Sequence, residues 1–465
     1  MAGLLSRERI IAGSGFNRWL VPPAALAIHL SIGQVYAFSV FKIPLSRAIG
    51  ITQSTAGDWK FTQLQWIFTL AIVWLGLSAA IAGRWLERAG PRKGGVVAAC
   101  CWGGGFVISA LGVRLHQLWL IYVGYGFIGG WGLGLGYISP VSTLIKWFPD
   151  RRGMATGMAI MGFGGGALIA APLSDALMKH FATATSVGVS ETFLTMGIIY
   201  FVAMMCGAFG YRLPPTDWKP AGWSPPAQQR VLVTTKHVHV DRAWRTPQFW
   251  LIWIVLCMNV SAGIGILEQA SPMIQEIFKG AVTASAAAGF VGLLSLFNIG
   301  GRIFWASLSD LIRRKPTYFI FFTLGAVLYA SIPFAGKIGS VPLFVACCLV
   351  ILTMYGGGFA TIPAYIADIF GTQFVGAIHG RILTAWSAAG VLGPFLVNYI
   401  REYQIDHGVP KADAYNLTMY VMVGLLVVGF FANLAIRPVA EEHYMTDAQL
   451  ATERRLIHEP NAGKT

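Results

Sequence analysis

One arginine stands apart from every other cation in this 465-residue chain. Arg302 lies inside the apolar stretch Leu293-Leu-Ser-Leu-Phe-Asn-Ile-Gly-Gly-Arg302-Ile-Phe304, whereas the other Lys and Arg residues fall at or near the ends of such stretches. A charge in that setting costs several kcal/mol or more, so it should face a cavity and await a counter-ion. Its planar guanidinium matches a carboxylate through two parallel hydrogen bonds. Snorkelling towards Asp310 is disfavoured by the eight intervening steps, about 12 Å along a helix. Two further residues could handle protons. Glu268, in Gly263-Ile-Gly-Ile-Leu-Glu268, stands near the end of an apolar run, and His29, inside another, carries an imidazole that titrates near neutrality. A structural role is equally open to both.

Other chemistries fall away. Gly103 to Gly105, Gly129-Gly130 and Gly162 to Gly166 lack the Gly-Lys-Ser/Thr ending and preceding strand of a phosphate loop, and read as close helix packing with scope for hinge bending. His237 and His239 have no Cys or second pair nearby, so no metal site is expected. Cys100, Cys101, Cys206, Cys257, Cys347 and Cys348 sit in apolar stretches without CxxC spacing and read as small core residues. No grouping of nucleophile, base and orienting residue appears, so an enzyme is not expected, and no cofactor is implied.

The elements that must hold Arg302 follow from composition. With 55% apolar and 12% charged residues, the chain is no ordinary soluble protein, in which roughly a quarter of residues are charged. Twelve apolar runs are long enough to cross a bilayer, at about 20 residues each. The first six are 19–41, 62–83, 94–112, 118–140, 153–172 and 192–211, and the last six 248–270, 285–309, 317–335, 341–364, 377–398 and 415–436. The polar segment 212–247, with Pro214-Pro215 and Pro225-Pro226, is a linker between halves 19–211 and 248–436, and 1–18 and 437–465 are tails. Arg7, Arg9 and Arg18 precede the first run without a small-residue cleavage site, so it should be retained. Of 34 Lys and Arg residues, 24 fall in the tails, the linker and the loops after even-numbered runs, and 9 in the opposite loops. Both termini are therefore expected in the cytoplasm. That distribution also explains the net charge of +14 without nucleic acid, since no basic stripe with interleaved aromatics stands apart from these loops.

Displacing the sequence by 223 residues superposes Pro140 on Pro363, Gly153 on Gly376, Gly157 on Gly380 and Glu87 on Asp310. Each landmark has the same place in its half. The expected fold is an all-α membrane protein of twelve transmembrane helices in two six-helix pseudo-symmetric halves, with a cavity between them near the bilayer midplane.

Gly83 followed by Arg84-Trp-Leu-Glu-Arg-Ala-Gly-Pro-Arg-Lys93 resembles the loop between helices two and three of the major facilitator superfamily, with Glu87 where the family usually has Asp. A degraded second copy is Ser309-Asp-Leu-Ile-Arg-Arg-Lys315. The acids Glu87 and Asp310 beside Arg88, Arg92 and Arg313 could form ion pairs that hold one face shut and break when it opens. Gly33-Gln-Val-Tyr-Ala-Phe-Ser-Val-Phe41, Gly134-Leu-Gly-Tyr-Ile-Ser-Pro140 with Lys146-Trp-Phe-Pro-Asp-Arg-Arg-Gly153, and Asn298-Ile-Gly-Gly-Arg302 resemble the oxalate/formate antiporter family, akin to monocarboxylate transporters. The likeness runs from about residue 19 to 436.

The resemblance implies that Arg302 binds the substrate. Oxalate carriers of this family have a lysine on helix eleven where Trp386 stands, and monocarboxylate carriers often have an Asp where Asn298 stands. Two cations suit a dianion and one suits a monoanion, because an unpaired second carboxylate in a low-dielectric cavity is strongly penalised. Trp386 could equally be packing. The superfamily builds its cavity from helices one, four, seven and ten, which nominates Gln34, Tyr36, Tyr122, Tyr125 and Tyr355, with Tyr122 and Tyr125 three apart on one helix face. The expected function is alternating-access transport of a small monocarboxylate of the lactate, pyruvate or formate type, coupled to proton symport, by a monomer in a bacterial inner membrane. An oxalate/formate-type exchanger, or a membrane sensor of carboxylates signalling through the tail after Glu441, is the alternative.

Overall fold

The computed structural model describes residues 3–458 except 14, 60, 216–217 and 224–232. Its helices are apolar runs closed by local signals. Thr246, Thr283 and Ser340 accept from the backbone N–H three residues ahead at the starts of Pro247–Ile277, Ala284–Ile312 and Val341–Phe370. Pro91 opens Pro91–Arg114, where its missing N–H costs nothing. Eleven helical stretches among the described residues are long and apolar enough to cross a membrane. Ala284–Ile312, carrying Arg302, packs between Arg152–Phe181 and Val341–Phe370 as a further member of the bundle. Satisfying every backbone group within each segment is what lets such helices sit in hydrocarbon.

Numbered in chain order as spans, the second is Phe61–Ala89, the fifth Arg152–Phe181, the seventh Pro247–Ile277, the eighth Ala284–Ile312 and the tenth Val341–Phe370. Three others are irregular at the depth where the candidate residues sit. The first passes from α-helix (Val21–Ile32) to a 3-10 turn (Gly33–Ala37) and back to helix (Ser39–Leu45). The fourth, Leu118–Trp147, contains a π-helical stretch, Tyr122–Ile128. The eleventh is divided at Leu383 between Val375–Ile382 and Thr384–Asp406.

The two halves meet chiefly where the fifth span packs on the eighth and the second on the eleventh. Glycine sets the approach. A Cβ on Gly157 would lie 2.7 Å from the carbonyl oxygen of Arg302, and one on Gly380 would collide with that of Ala79. These two contacts are images of each other under the 223-residue repeat.

The N-tail, the linker and the C-tail gather on one face, called here the terminal face. Leu213 N–H donates to Ile10 (2.7 Å), Val238 N–H to Phe370 (2.9 Å) and Met445 N–H to His237 (2.8 Å).

Candidate functional site

Arg302 is fully buried. Nε donates to Asn298 Oδ1 (3.1 Å) one turn back on the same helix, and Nη1 donates to the Ile160 carbonyl (3.0 Å) of the opposite half. Nη2 has no hydrogen-bond partner among the described residues, and no described carboxylate pairs with the guanidinium. The cation lies 6.0 Å from the Phe163 ring of one half and 5.7 Å from the Phe359 ring of the other. Aromatic faces offset part of the cost of burying it. The remaining N–H groups still call for an acceptor, since a buried donor left unmade is expensive.

Trp386, fully buried, closes this cage against Phe359 (4.4 Å between ring centres), Phe163 (5.2 Å) and Tyr137 (5.4 Å). Tyr36 packs edge-on against Phe163 at 5.0 Å, and its hydroxyl lies 3.3 Å from that of Tyr355, so this pair too spans the halves. Trp386 Nε1 and the Tyr137 hydroxyl are buried without partners among the described residues. The cage thus offers one fixed cation, neutral donors and aromatic walls, a combination that fits a small, flat anion.

His29 is fully buried at the edge of the cage, 5.3 Å from the Tyr137 ring. Its Nδ1 lies close against the Ala159 carbonyl, and its Nε2 lies 3.2 Å from that of Tyr137. A neutral imidazole can donate to one of those carbonyls, whereas a protonated ring can donate to both. The side chain of Glu268 lies outside the described residues.

The other nominated tyrosines separate. Tyr125 donates to Gln34 Oε1 (2.9 Å) inside the aromatic interior of the first half, among Phe38, Trp102 and Phe106, leaving Gln34 Nε2 unpartnered among the described residues. Tyr122 is half-buried and donates instead to the Gln63 carbonyl (2.9 Å), so it does not share the inward face of Tyr125. Both lie in the π-helical stretch, whose wider turn removes the i, i+3 alignment of an α-helix. Phe163, Phe359, Tyr137 and His379 were not foreseen. A signal existed for one of them, since the repeat offset carries Phe163 onto Trp386, and those rings meet edge-on.

At the terminal face both acids are paired, with partners other than the nominated Arg88, Arg92 and Arg313. Asp310 accepts from the N–H groups of Gly153 (2.9 Å) and Met154 (3.0 Å), at the start of the fifth span. Glu87 accepts from the N–H of Gly376 (3.1 Å), at the start of the eleventh. Each acid therefore clamps a helix N-terminus of the other half, where backbone donors and the helix dipole favour negative charge. Glu87, Gly376, Asp310 and Gly153 are all landmarks of the repeat, and the two clamps are its images. The supporting cations are Lys146 on Glu87 (2.6 Å), and Arg314 on Asp310 (2.6 Å) and Asp368 (3.1 Å). Arg88 and Arg313 are exposed and make no ion pair with these acids among the described residues. The helix ends at Ile312, and the chain reverses at Arg313 with φ of 75°, which turns Arg314 under Asp310 instead. Arg92 is buried but donates to the carbonyls of Leu4 and Phe209 (both 3.2 Å). Asp241 of the linker ties the halves again, accepting from Arg84 (2.9 Å) and Arg381 (2.6 Å). Burial works against its charge, yet the hydrogen bond from Arg381 and the charges of Arg84 and Arg381 hold its carboxyl below the usual range.

Known proteins supply the frame for this geometry. The sequence pattern of the major facilitator superfamily matches residues 10–394. The oxalate:formate antiporter of Oxalobacter formigenes is 27% identical over 382 residues, covering 81% of this chain and 83% of that one. Human monocarboxylate transporter 11 is 25% identical over 402 residues, covering 83% and 77%. Among solved structures, the Escherichia coli fucose:proton symporter superposes with a TM-score of 0.62 at 13% identity, covering 90% of this chain and 99% of that one, a likeness of fold. With its family pattern and its two clamped halves, the chain belongs to the major facilitator superfamily of membrane transporters.

Proposed function

We propose that this transporter carries a small organic monocarboxylate of the lactate, pyruvate or formate type, by alternating access with proton symport. The observation that carries the reading is Arg302, fully buried between the halves with Nη2 unpartnered among the described residues. One carboxylate seated there converts an unmade buried donor into a charge-assisted hydrogen bond. Both termini lie in the cytoplasm of a cell with the protein in its inner membrane, as the Lys and Arg distribution argues. In the arrangement described the clamps of Glu87 and Asp310 close the cytoplasmic side, and the anion enters from the other. His29, with a carbonyl against each ring nitrogen, is the nearer proton carrier, and Glu268 the second candidate. The printed names of two relatives, an oxalate:formate antiporter and a monocarboxylate transporter, support the anion class.

A second reading, exchange of a dianion such as oxalate, is favoured by Trp386 Nε1 and the Tyr137 hydroxyl, which offer neutral donors to a second polar end. Thermal unfolding of the purified protein with formate, lactate, pyruvate, glycolate or oxalate, on wild type and on Arg302→Lys and Arg302→Ala, tests both. A ligand that binds only the folded state raises its stability. A monocarboxylate should stabilise the wild type. Lysine keeps the charge but loses the fork, which removes a charge-assisted bond worth about 1.5–3 kcal/mol; binding should weaken roughly 10- to 100-fold. Alanine should abolish it. Stronger stabilisation by oxalate selects exchange, and stabilisation that survives Arg302→Ala refutes the site.

A further inference from the structure

His379 is a second buried histidine, on the opposite half from His29 and packed on the same tyrosine. It is 1% exposed, its ring centre is 5.8 Å from that of Tyr137, and its Nδ1 is buried with no hydrogen-bond partner among the described residues. The contrast with His29 is informative. There both nitrogens are held against backbone carbonyls, whereas at His379 one nitrogen can take up or give a proton without breaking a hydrogen bond. His379 also lies one turn beyond Gly376 on the short helix Val375–Ile382, whose first N–H groups include the one clamped by Glu87. When that clamp parts, this helix is the piece of the eleventh span that first meets water on the terminal face. At Leu383, where the turn tightens and Trp386 N–H donates to its carbonyl (2.9 Å), it joins Thr384–Asp406, which holds Trp386 in the cage.

We propose that His379 is the station from which the coupling proton is released on the terminal side, gated by the Glu87–Gly376 clamp. The inference rests on the proton-symport reading above. The step is simple in its balance: neutral imidazole takes, at a ring nitrogen, the proton that enters with the anion from the other side, and the imidazolium returns it to bulk water once the terminal face opens. A cation so placed must reckon with its surroundings. Tyr137 of the fourth span packs on its ring, His29 lies against the same tyrosine, and the second and fourth spans, which pack on its helix, carry Arg84, Glu87 and Lys146. Lys146 is neutralised by Glu87 (2.6 Å), and Arg84 by Asp241 of the linker (2.9 Å). Asp241 also holds Arg381 of His379's own helix (2.6 Å), and the nearby linker residue His239 packs on Phe374. The tenth span, which also packs on this helix, carries Tyr355 and Asp368, the latter held by Arg314 (3.1 Å). Arg302, in the cage that Tyr137 also lines, is a buried cation with no carboxylate among the described residues. A bound anion cancels its charge, so anion and proton are accommodated together and leave together.

Release stations have a signature that structural residues lack: their loss uncouples anion movement from the pH gradient but spares exchange, in which the anion at Arg302 shuttles with no net movement of protons. His379→Gln and His379→Asn in proteoliposomes, with radiolabelled formate, pyruvate and L-lactate in turn, read this directly. Uptake driven by an imposed pH gradient should fall at least tenfold in both variants, while exchange at equal anion on both sides stays within about twofold of wild type. The proposal is overturned if either variant accumulates anion like wild type, or if both lose exchange along with driven uptake, which marks a structural role. A wild type that exchanges without responding to the pH gradient overturns the symport reading itself, and is recognised without any variant. Loss of both activities in Arg302→Ala alone reports on the anion site and not on His379.

Discussion

Replacing Asp310 by asparagine should open the terminal face without touching the anion site. The carboxylate makes three contacts there: Oδ1 accepts from Gly153 N–H (2.9 Å) and from Arg314 Nη2 (2.6 Å), and Oδ2 accepts from Met154 N–H (3.0 Å). An amide of the same shape keeps one oxygen, while its NH2 is turned against a donor. One backbone bond to a charged acceptor is lost, about 1.5–3 kcal/mol. The partly exposed pair with Arg314 adds about 0.5 kcal/mol after solvent screening, and the charge at the helix N-terminus a similar amount. The closed arrangement should lose about 2–4 kcal/mol, or roughly 30- to 1000-fold in its ratio to the open one. Spin labels at Arg88 and Leu311, exposed on the terminal face in opposite halves, measure it as a distance distribution, after replacement of the six native cysteines. Asp310→Asn should add a longer component, and Glu87→Gln should do the same because the two clamps are symmetry images. Asp175→Asn, at an exposed i, i+4 pair with Lys179, should not. A distribution unchanged by Asp310→Asn would show that the clamp is not what holds the face shut.

The glycine contacts make a steric prediction of the same kind. Gly380→Ala places a Cβ against the Ala79 carbonyl, which is backbone and cannot swing aside, so thermal stability should fall by an amount equivalent to about 1–3 kcal/mol and the label distance should lengthen; Gly104→Ala, with nothing within 4 Å, should do neither. For Asp241 the sign follows from a carboxyl held below its ordinary range: its contribution to stability is complete above the unfolded value, near 4, and is lost as pH falls through the lower folded value. The thermal-stability difference between wild type and Asp241→Asn should therefore be flat above about pH 5 and shrink below about 4; a difference that grows on acidification would refute the assignment.

Much of this was readable from the chain because the bilayer imposes strong rules. Apolar runs and an internal repeat specify the bundle, and a single cation inside such a run is costly enough to mark Arg302. The repeat held more than it first yields: Glu87, Asp310, Gly153 and Gly376 align because they bond to one another, Gly157 and Gly380 because each admits the backbone of the other half, and Phe163 falls on Trp386 because the rings meet near the pseudo-axis. What sequence could not supply is the choice among equivalent partners. Arg313 and Arg314 differ by one position, and only the reversal at Arg313 decides that Arg314 turns towards Asp310, although the i, i+4 spacing of that pair was available. Tyr122 was placed inward by α-helical spacing that the π-helical stretch does not keep. Tyr137 and His379 carry no local signal, since their place beside the cage depends on helices 240 residues apart in sequence.

The energies of the site and the clamps can be set against each other. Opening the terminal face breaks both acid clamps together, because each ties a different pair of spans on the same side of the bundle. At about 2–4 kcal/mol apiece the closed side is worth about 4–8 kcal/mol, and binding a small anion with a dissociation constant between millimolar and micromolar releases about 4–8 kcal/mol. Only the part of that energy which differs between the two arrangements can shift the balance. Arg302 supplies such a difference through its position, since Nη1 already bonds the Ile160 carbonyl across the halves while Nη2 waits. On the reading proposed above, an anion at Nη2 leaves that bond in place and adds one that the empty protein lacks. On that same reading the clamps keep the empty protein shut on this side, and only an anion contact that differs between the two arrangements can release them.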